Sequence, residues 1–219
     1  MERTLAVKGT GKLSLRPDNI EVSLMIRQQD RDYAAAMIAS SKQQEALRES
    51  LVGVGFRPEA LKTSSFNVRT EYESMRDEKG VYRQVFAGYV CEHMMSLSFP
   101  FDTEVLSSAL SAMALCVADP EINVSFTIKD REAATDTLLR NAAENARERA
   151  QLLAEASGVE LGEILSIEYG RRELDFVSPT RFVNNAKLMT RGAEAAVAMD
   201  VAPQSIDLEE SVQYVWSIK

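Results

Sequence analysis

Val7-Lys8-Gly9-Thr10-Gly11-Lys12-Leu13-Ser14-Leu15-Arg16-Pro17-Asp18 runs straight into the alternating series Ile20, Val22, Leu24 and Ile26. Leu5 and Val7, then Leu13 and Leu15, alternate with polar neighbours, which is the two-residue period of a half-buried strand. Gly9 and Gly11 interrupt that pattern and imply either a bulge or a close approach of another backbone. Pro17-Asp18 is a turn signal, and the alternation after it predicts a second strand over 20–28. The counterpart lies far downstream, in an alanine-rich stretch over about 130–157 that closes on Ala154-Glu155-Ala156-Ser157-Gly158 and continues Val159-Glu160-Leu161-Gly162. Many alanines and few β-branched residues predict one long helix there. Its apolar stripe reads Ala134, Leu138, Ala142, Asn145/Ala146, Arg149, Leu152/Leu153, Ala156, with Gly158 as a left-handed cap.

Between these ends the periodicity keeps switching. Asp30 or Asp32 is placed to cap a first helix, whose stripe is Ala35/Ala36, Ile38/Ala39, Gln43, Ala46/Leu47 and Leu51. A long hairpin follows, with arms over about 61–72 and 82–99 and Asp77-Glu78-Lys79-Gly80 at its tip. Alternation puts Val85, Ala87, Tyr89, Cys91, His93 and Met95 on one face of the return arm. A second helix opens near Thr103, a short strand carries Ile122, Val124, Phe126 and Ile128, and strands are predicted over 164–169 and 205–218 around the excursion described next. Residues 170–204 contain Pro179, Asn184-Asn185, Gly192 and Pro203 without clean periodicity, which makes them a long irregular excursion. The resulting class is α+β, with antiparallel sheets of hairpin-connected strands packed on three helices. One domain over 4–218 is expected, with two α+β lobes as the alternative subdivision.

Composition narrows the function classes. The 219 residues carry 33 acidic and 25 basic side chains, a net charge of −8. A surface of that sign repels a phosphate backbone, so nucleic acid is not an expected partner. No apolar run approaches the roughly 18 residues of a membrane helix. Met1-Glu2-Arg3-Thr4 enters strand pattern without the apolar core of an export signal. The chain as written is therefore expected in the cytoplasm, or in the periplasm or envelope if a leader has been removed.

Catalytic constellations are not recognisable, and no cofactor or metal is called for. Cys91 and His93 share a strand face, and such a pair can join a thiolate to a base or two metal ligands. Cys116 is the second thiol; with no Cys-x-x-Cys, both cysteines read as buried free thiols. Gly9-Thr10-Gly11-Lys12 is followed by a strand rather than the helix a phosphate loop requires. Glu71/Glu73 and Glu209/Glu210 would do acid–base work only inside a cleft. The nine methionines are dispersed along the sequence and form no cluster in it. Tyr214 and Trp216 share a face of the last strand and, with Asp77, Glu78, Lys79 and Gly80, are the candidate interface residues.

The order of these pieces resembles the SIMPL-domain family, a bacterial-rich family named after a signalling molecule that associates with a mouse pelle-like kinase. The matching residues are Val7–Asp18, Leu61-Lys62-Thr63-Ser64-Ser65-Phe66 with Tyr72, Gly88-Tyr89, Ile128 onward, and Ala146-Arg147-Glu148-Arg149-Ala150 through Gly162. The resemblance implies an α+β fold, homo-oligomers, and an association with the cell envelope and tolerance of oxidative stress. It carries over no catalytic residue. Many bacterial relatives begin with an export signal, which this chain does not show. The expectation is a non-enzymatic protein acting through homo-oligomerisation and partner binding. The alternative is a small-molecule binder or weak redox stress-defence protein using Cys91, His93 or Cys116.

Overall fold

The period-2 and period-3.6 segments become strands β1 (Thr4–Leu15), β2 (Asn19–Asp30), β3 (Leu61–Arg76), β4 (Tyr82–Pro100), β5 (Glu121–Thr127), β6 (Leu161–Glu168) and β7 (Ile206–Ile218). The helices are α1 (Tyr33–Gly53), α2 (Thr103–Ala114) and α3 (Arg131–Ala156). The computed structural model describes residues 3–76, 80–170, 173–180 and 201–219. Each helix opens on an aspartate: Asp32, Asp102 and Asp130 accept backbone N–H groups of their first turns, satisfying donors that no helical carbonyl reaches. The fold is α+β, as the sequence predicts, and none of the described helices is long and apolar enough to cross a membrane. Contacts divide the chain into two compact units: Met1–Asp18 with Thr127–Pro179 and Pro203–Lys219, and Asn19–Phe126 with Thr180–Ala202.

The first unit is a three-stranded sheet ordered β1-β7-β6 with α3 on one face. β1 pairs with β7 antiparallel from Thr4↔Ser217 to Leu15↔Ile206 with no break in register. The two glycines of β1 are therefore not a bulge. A Cβ on Gly9 would collide with the Ala142 carbonyl oxygen, and one on Gly11 with the Leu138 carbonyl oxygen. The helix meets them with a stripe that is alanine at every position but one: Ala134, Leu138, Ala142, Ala146, Ala150 and Ala154 are its buried residues. This corrects the stripe read from sequence after Ala146. Arg149, Leu152, Leu153 and Ala156 are exposed, because the repeat stays strictly i, i+4 and small where the helix lies closest to the sheet.

Asn141, Asn145 and Arg149 flank the stripe and have a separate task. Asn145 Oδ1 accepts from the Thr10 N–H at 3.1 Å. Asn141 Nδ2 donates to the Lys12 carbonyl at 3.2 Å, and Arg149 donates to the Lys8 carbonyl at 3.3 Å. β1 is the sheet's edge strand, so these side chains occupy backbone groups that would otherwise invite a foreign strand.

The second unit is a four-stranded sheet ordered β3-β4-β2-β5 with α1 and α2. Ile20, Val22, Leu24 and Ile26 of β2 stand opposite Phe99, Leu97, Met95 and His93 of β4, and with Leu47, Leu51, Leu106 and Met113 they build its core. Of the irregular 170–204 stretch, the described residues include one isolated bridge, Thr127↔Val177, and a hydrogen bond from Ser178 Oγ to the Gln204 carbonyl at 2.7 Å.

Candidate functional site

β4 runs 19 residues, but β2 pairs with it only between Asn19↔Pro100 and Asp30↔Tyr89. Beyond Tyr89 the second unit's hairpin continues as a two-stranded arm, from Tyr72↔Phe86 to Arg76↔Tyr82. A two-stranded ribbon has no sheet face to bury, and in water such a piece is marginally stable by itself. Here it is strongly apolar: Tyr72 and Met75 are each 56% exposed, Tyr82 is 69% exposed, and Val81, Val85 and Phe86 are exposed as well. Alternation predicts the return strand of this arm but ends the outgoing one at about residue 72, short of Arg76, and it does not say how many neighbours a strand has. Gly80 lies at the arm's turn with φ +80°; Asp77, Glu78 and Lys79 lie outside the described residues.

One face assignment on β4 needs correction. The register shifts between Glu71↔Gly88 and Tyr72↔Phe86, leaving Ala87 as an extra residue. Gly88 takes φ +143°, and a Cβ there would press on the Asp30 backbone. The bulge breaks the period-2 alternation at this point, so Val85 and Ala87 do not continue the face of Tyr89, Cys91, His93 and Met95. Phe86 joins that face instead. Tyr72–Phe86, Phe86–Tyr89 and Tyr33–Tyr89 make edge-to-face contacts at centroid distances of 6.0, 5.3 and 5.5 Å. An aromatic row thus runs from the root of the arm to the start of α1.

The candidate reactive residues lie beneath α1 or in the core. Cys91 is fully buried, Cys116 is buried, and both are free thiols. Burial pushes the Cys91 thiol pKa up. Cys91 Sγ lies 3.8 Å from Met37 Sδ, directed to it as a donor. His93 is 6% exposed, its Nε2 is 2.8 Å from Thr63 Oγ1, and its ring meets Phe66 edge-on at 5.2 Å. Burial first, and the nearby Arg48 charge second, hold its pKa below the ordinary imidazole value. A buried neutral imidazole and a buried thiol are not an activated nucleophile pair, because a reactive thiolate needs nearby positive charge and access.

The acidic residues are held in different surroundings. Glu71 binds Arg27 at 2.9 Å and Arg69 at 3.2 Å, while Arg69 also binds Glu92 at 2.9 Å. The Arg69 hydrogen bond is the main cause that holds the Glu92 carboxyl pKa down. This is a cross-strand ion network rather than an acid–base dyad. Glu209 is exposed and pairs with Lys12 at 3.5 Å, whereas Glu210 is 2% exposed and its Oε2 has no hydrogen-bond partner among the described residues. Among those residues no group of three or more His, Cys, Asp or Glu side chains could hold a metal.

In the first unit a groove of ≈ 990 Å³ lies between α3 and β6. Ile164 stands opposite Trp216 and Ile167 opposite Tyr214, so these four form its apolar floor, with Glu144 and Arg147 among its polar walls. Trp216 is a core residue with Val7, Ala146 and Ala150. Tyr214, half-buried, stacks on it at 5.3 Å. Ile164, Leu165 and Ile167 are all exposed.

A family model described as SIMPL, protein of unknown function (DUF541), matches residues 5–216. No curated protein matches the chain.

Proposed function

Since the chain belongs to the SIMPL family, whose description assigns no chemistry, we propose that it works by self-association and protein binding rather than by catalysis. The observation that carries this reading is the two-stranded arm, paired over Tyr72–Arg76 and Tyr82–Phe86, with its exposed tyrosines, methionine and phenylalanine. Contiguous apolar surface of this kind on a soluble chain marks a contact site, and tyrosine and methionine are enriched in interfaces. The arm docks on a second copy; most of 170–204, the other stretch expected to make contacts, lies outside the described residues. The link to the envelope and to oxidative stress that the resemblance implies belongs to this reading as its setting.

The test is size exclusion with light scattering on the full chain and on a variant in which residues 73–85 are replaced by Asn-Gly. The full chain is expected to run as a defined oligomer and the shortened chain as a smaller species. A monomer in both, up to millimolar concentration, overturns the proposal. The α3–β6 groove favours a second reading, a small apolar ligand held over Tyr214 and Trp216. Quenching of the single tryptophan by an added ligand, lost in Tyr214→Ala, would support it.

A further inference from the structure

The nine methionines form no cluster along the chain, yet folding places one of them against a cysteine 54 residues away. We infer that Cys91 Sγ, Met37 Sδ and His93 Nδ1 form a binding site for a soft monovalent cation, Cu(I). The inference is independent of whether the arm assembles the chain.

The geometry starts from the two sulfurs. They stand 3.8 Å apart. Two sulfur ligands about 2.3 Å from one ion, at the angles of three- or four-coordinate geometry, stand roughly 3.8–4.0 Å from each other. The pair is thus already spaced as two ligands of one ion. Cys91 and His93 are alternate residues of β4, so their side chains leave the same face of the sheet. Thr63 engages His93 at Nε2, and Nδ1 is the ring nitrogen with no hydrogen bond among the described residues.

The donor set selects the ion. Thiolate and thioether are soft ligands that favour Cu(I), while oxygen-seeking cations find no carboxylate here. The surroundings also suit it. Met37 is half-buried while Cys91 is fully buried, which makes the thioether the side from which an ion arrives. On binding, the Cys91 thiol gives its proton to solvent as the sulfur–copper bond forms. Copper stays in the cuprous state and no electron moves. His93 offers the lone pair of Nδ1.

The test uses the reduced full-length chain without oxygen, titrated with Cu(I) against bicinchoninate as competitor. One Cu(I) per chain is expected, with affinity unchanged in Cys116→Ser, lost in Cys91→Ala, and at least tenfold weaker in Met37→Leu. The leucine is close in volume to methionine, so that variant remains informative even where the alanine variant fails to fold. X-ray absorption at the copper edge should show two sulfurs and one nitrogen. Equal affinity in the parent chain and Met37→Leu, loss confined to Cys116→Ser, or a copper shell without sulfur would each overturn the inference.

Discussion

At Gly11 two opposing effects of a single methyl group can be weighed. Glycine within a strand ordinarily costs roughly 0.5–1 kcal/mol relative to alanine, so Gly11→Ala would be stabilising in open space. The added Cβ would instead meet the Leu138 carbonyl oxygen, a backbone atom that cannot rotate away. Overpacking of that kind costs about 1–3 kcal/mol or more, so urea unfolding of Gly11→Ala should show a net loss of about 2 kcal/mol. A gain would mean that α3 lies farther from β1 than described. His93 supplies a second residue-scale expectation. Its folded pKa is depressed by burial and Arg48, whereas unfolded histidine titrates near about 6.5. The unfolded chain therefore binds the proton first as pH falls. Stability from neutral His93 is complete above that value and is lost as pH falls from about 6.5 toward the folded pKa. Since His93 is the only histidine, the slope of melting temperature between pH 6.5 and 5 should flatten in His93→Gln, measured without added copper. Thr63, Phe66, Ile26 and Arg48 surround this ring.

Among the elements, α3 shows how much the chain discloses of itself. Its limits were readable from alanine content, Asp130 and Gly158, and they agree with Arg131–Ala156. Its buried face was readable only as far as Ala146. Arg149 and Asn145 occupy positions that a purely apolar stripe would claim, yet they cap the β1 edge. Nothing in helical periodicity distinguishes a polar residue that binds a neighbouring backbone from one that faces water. Asn145→Ala should cost about 1 kcal/mol, the usual net value of one hydrogen bond. Combined with Asn141→Ala it should raise turbidity on heating, since two β1 backbone groups lose their partners. On β4 the limit on reading is different. The alternation from Val85 to Met95 reads as one unbroken face and does not reveal the bulge beside Gly88 that turns Val85 and Ala87 off the face of Tyr89.

For the molecule as a whole, element order and class follow from the sequence, while the site does not. Among the described residues seven strands and three α-helices occur in the predicted order, because each local period forms one element. The arm's exposure and the Met37–Cys91 contact depend on which elements become neighbours, and that information is spread over the whole chain. Connectivity leads to one more expectation. The second unit is drawn mainly from the continuous stretch Asn19–Phe126, whereas the first needs three separated segments. A chain ended at residue 204 lacks β7, and with it the strand that joins β1 to β6. Hydrogen exchange on that chain should keep β2 and β4 protected and show β1 exchanging freely. Protection of β1 there would mean that it has found another partner.

The β1–β7 pairing also sets a schedule. At roughly 5–20 residues per second, β1 leaves the ribosome on the order of 10–40 s before its partner exists. Throughout that wait, the backbone edge of β1 that β7 pairs is open, and Leu5, Val7, Leu13 and Leu15 lack the cover of β7. Synthesis speed and holding chaperones should therefore govern the yield of this protein more than its final stability does.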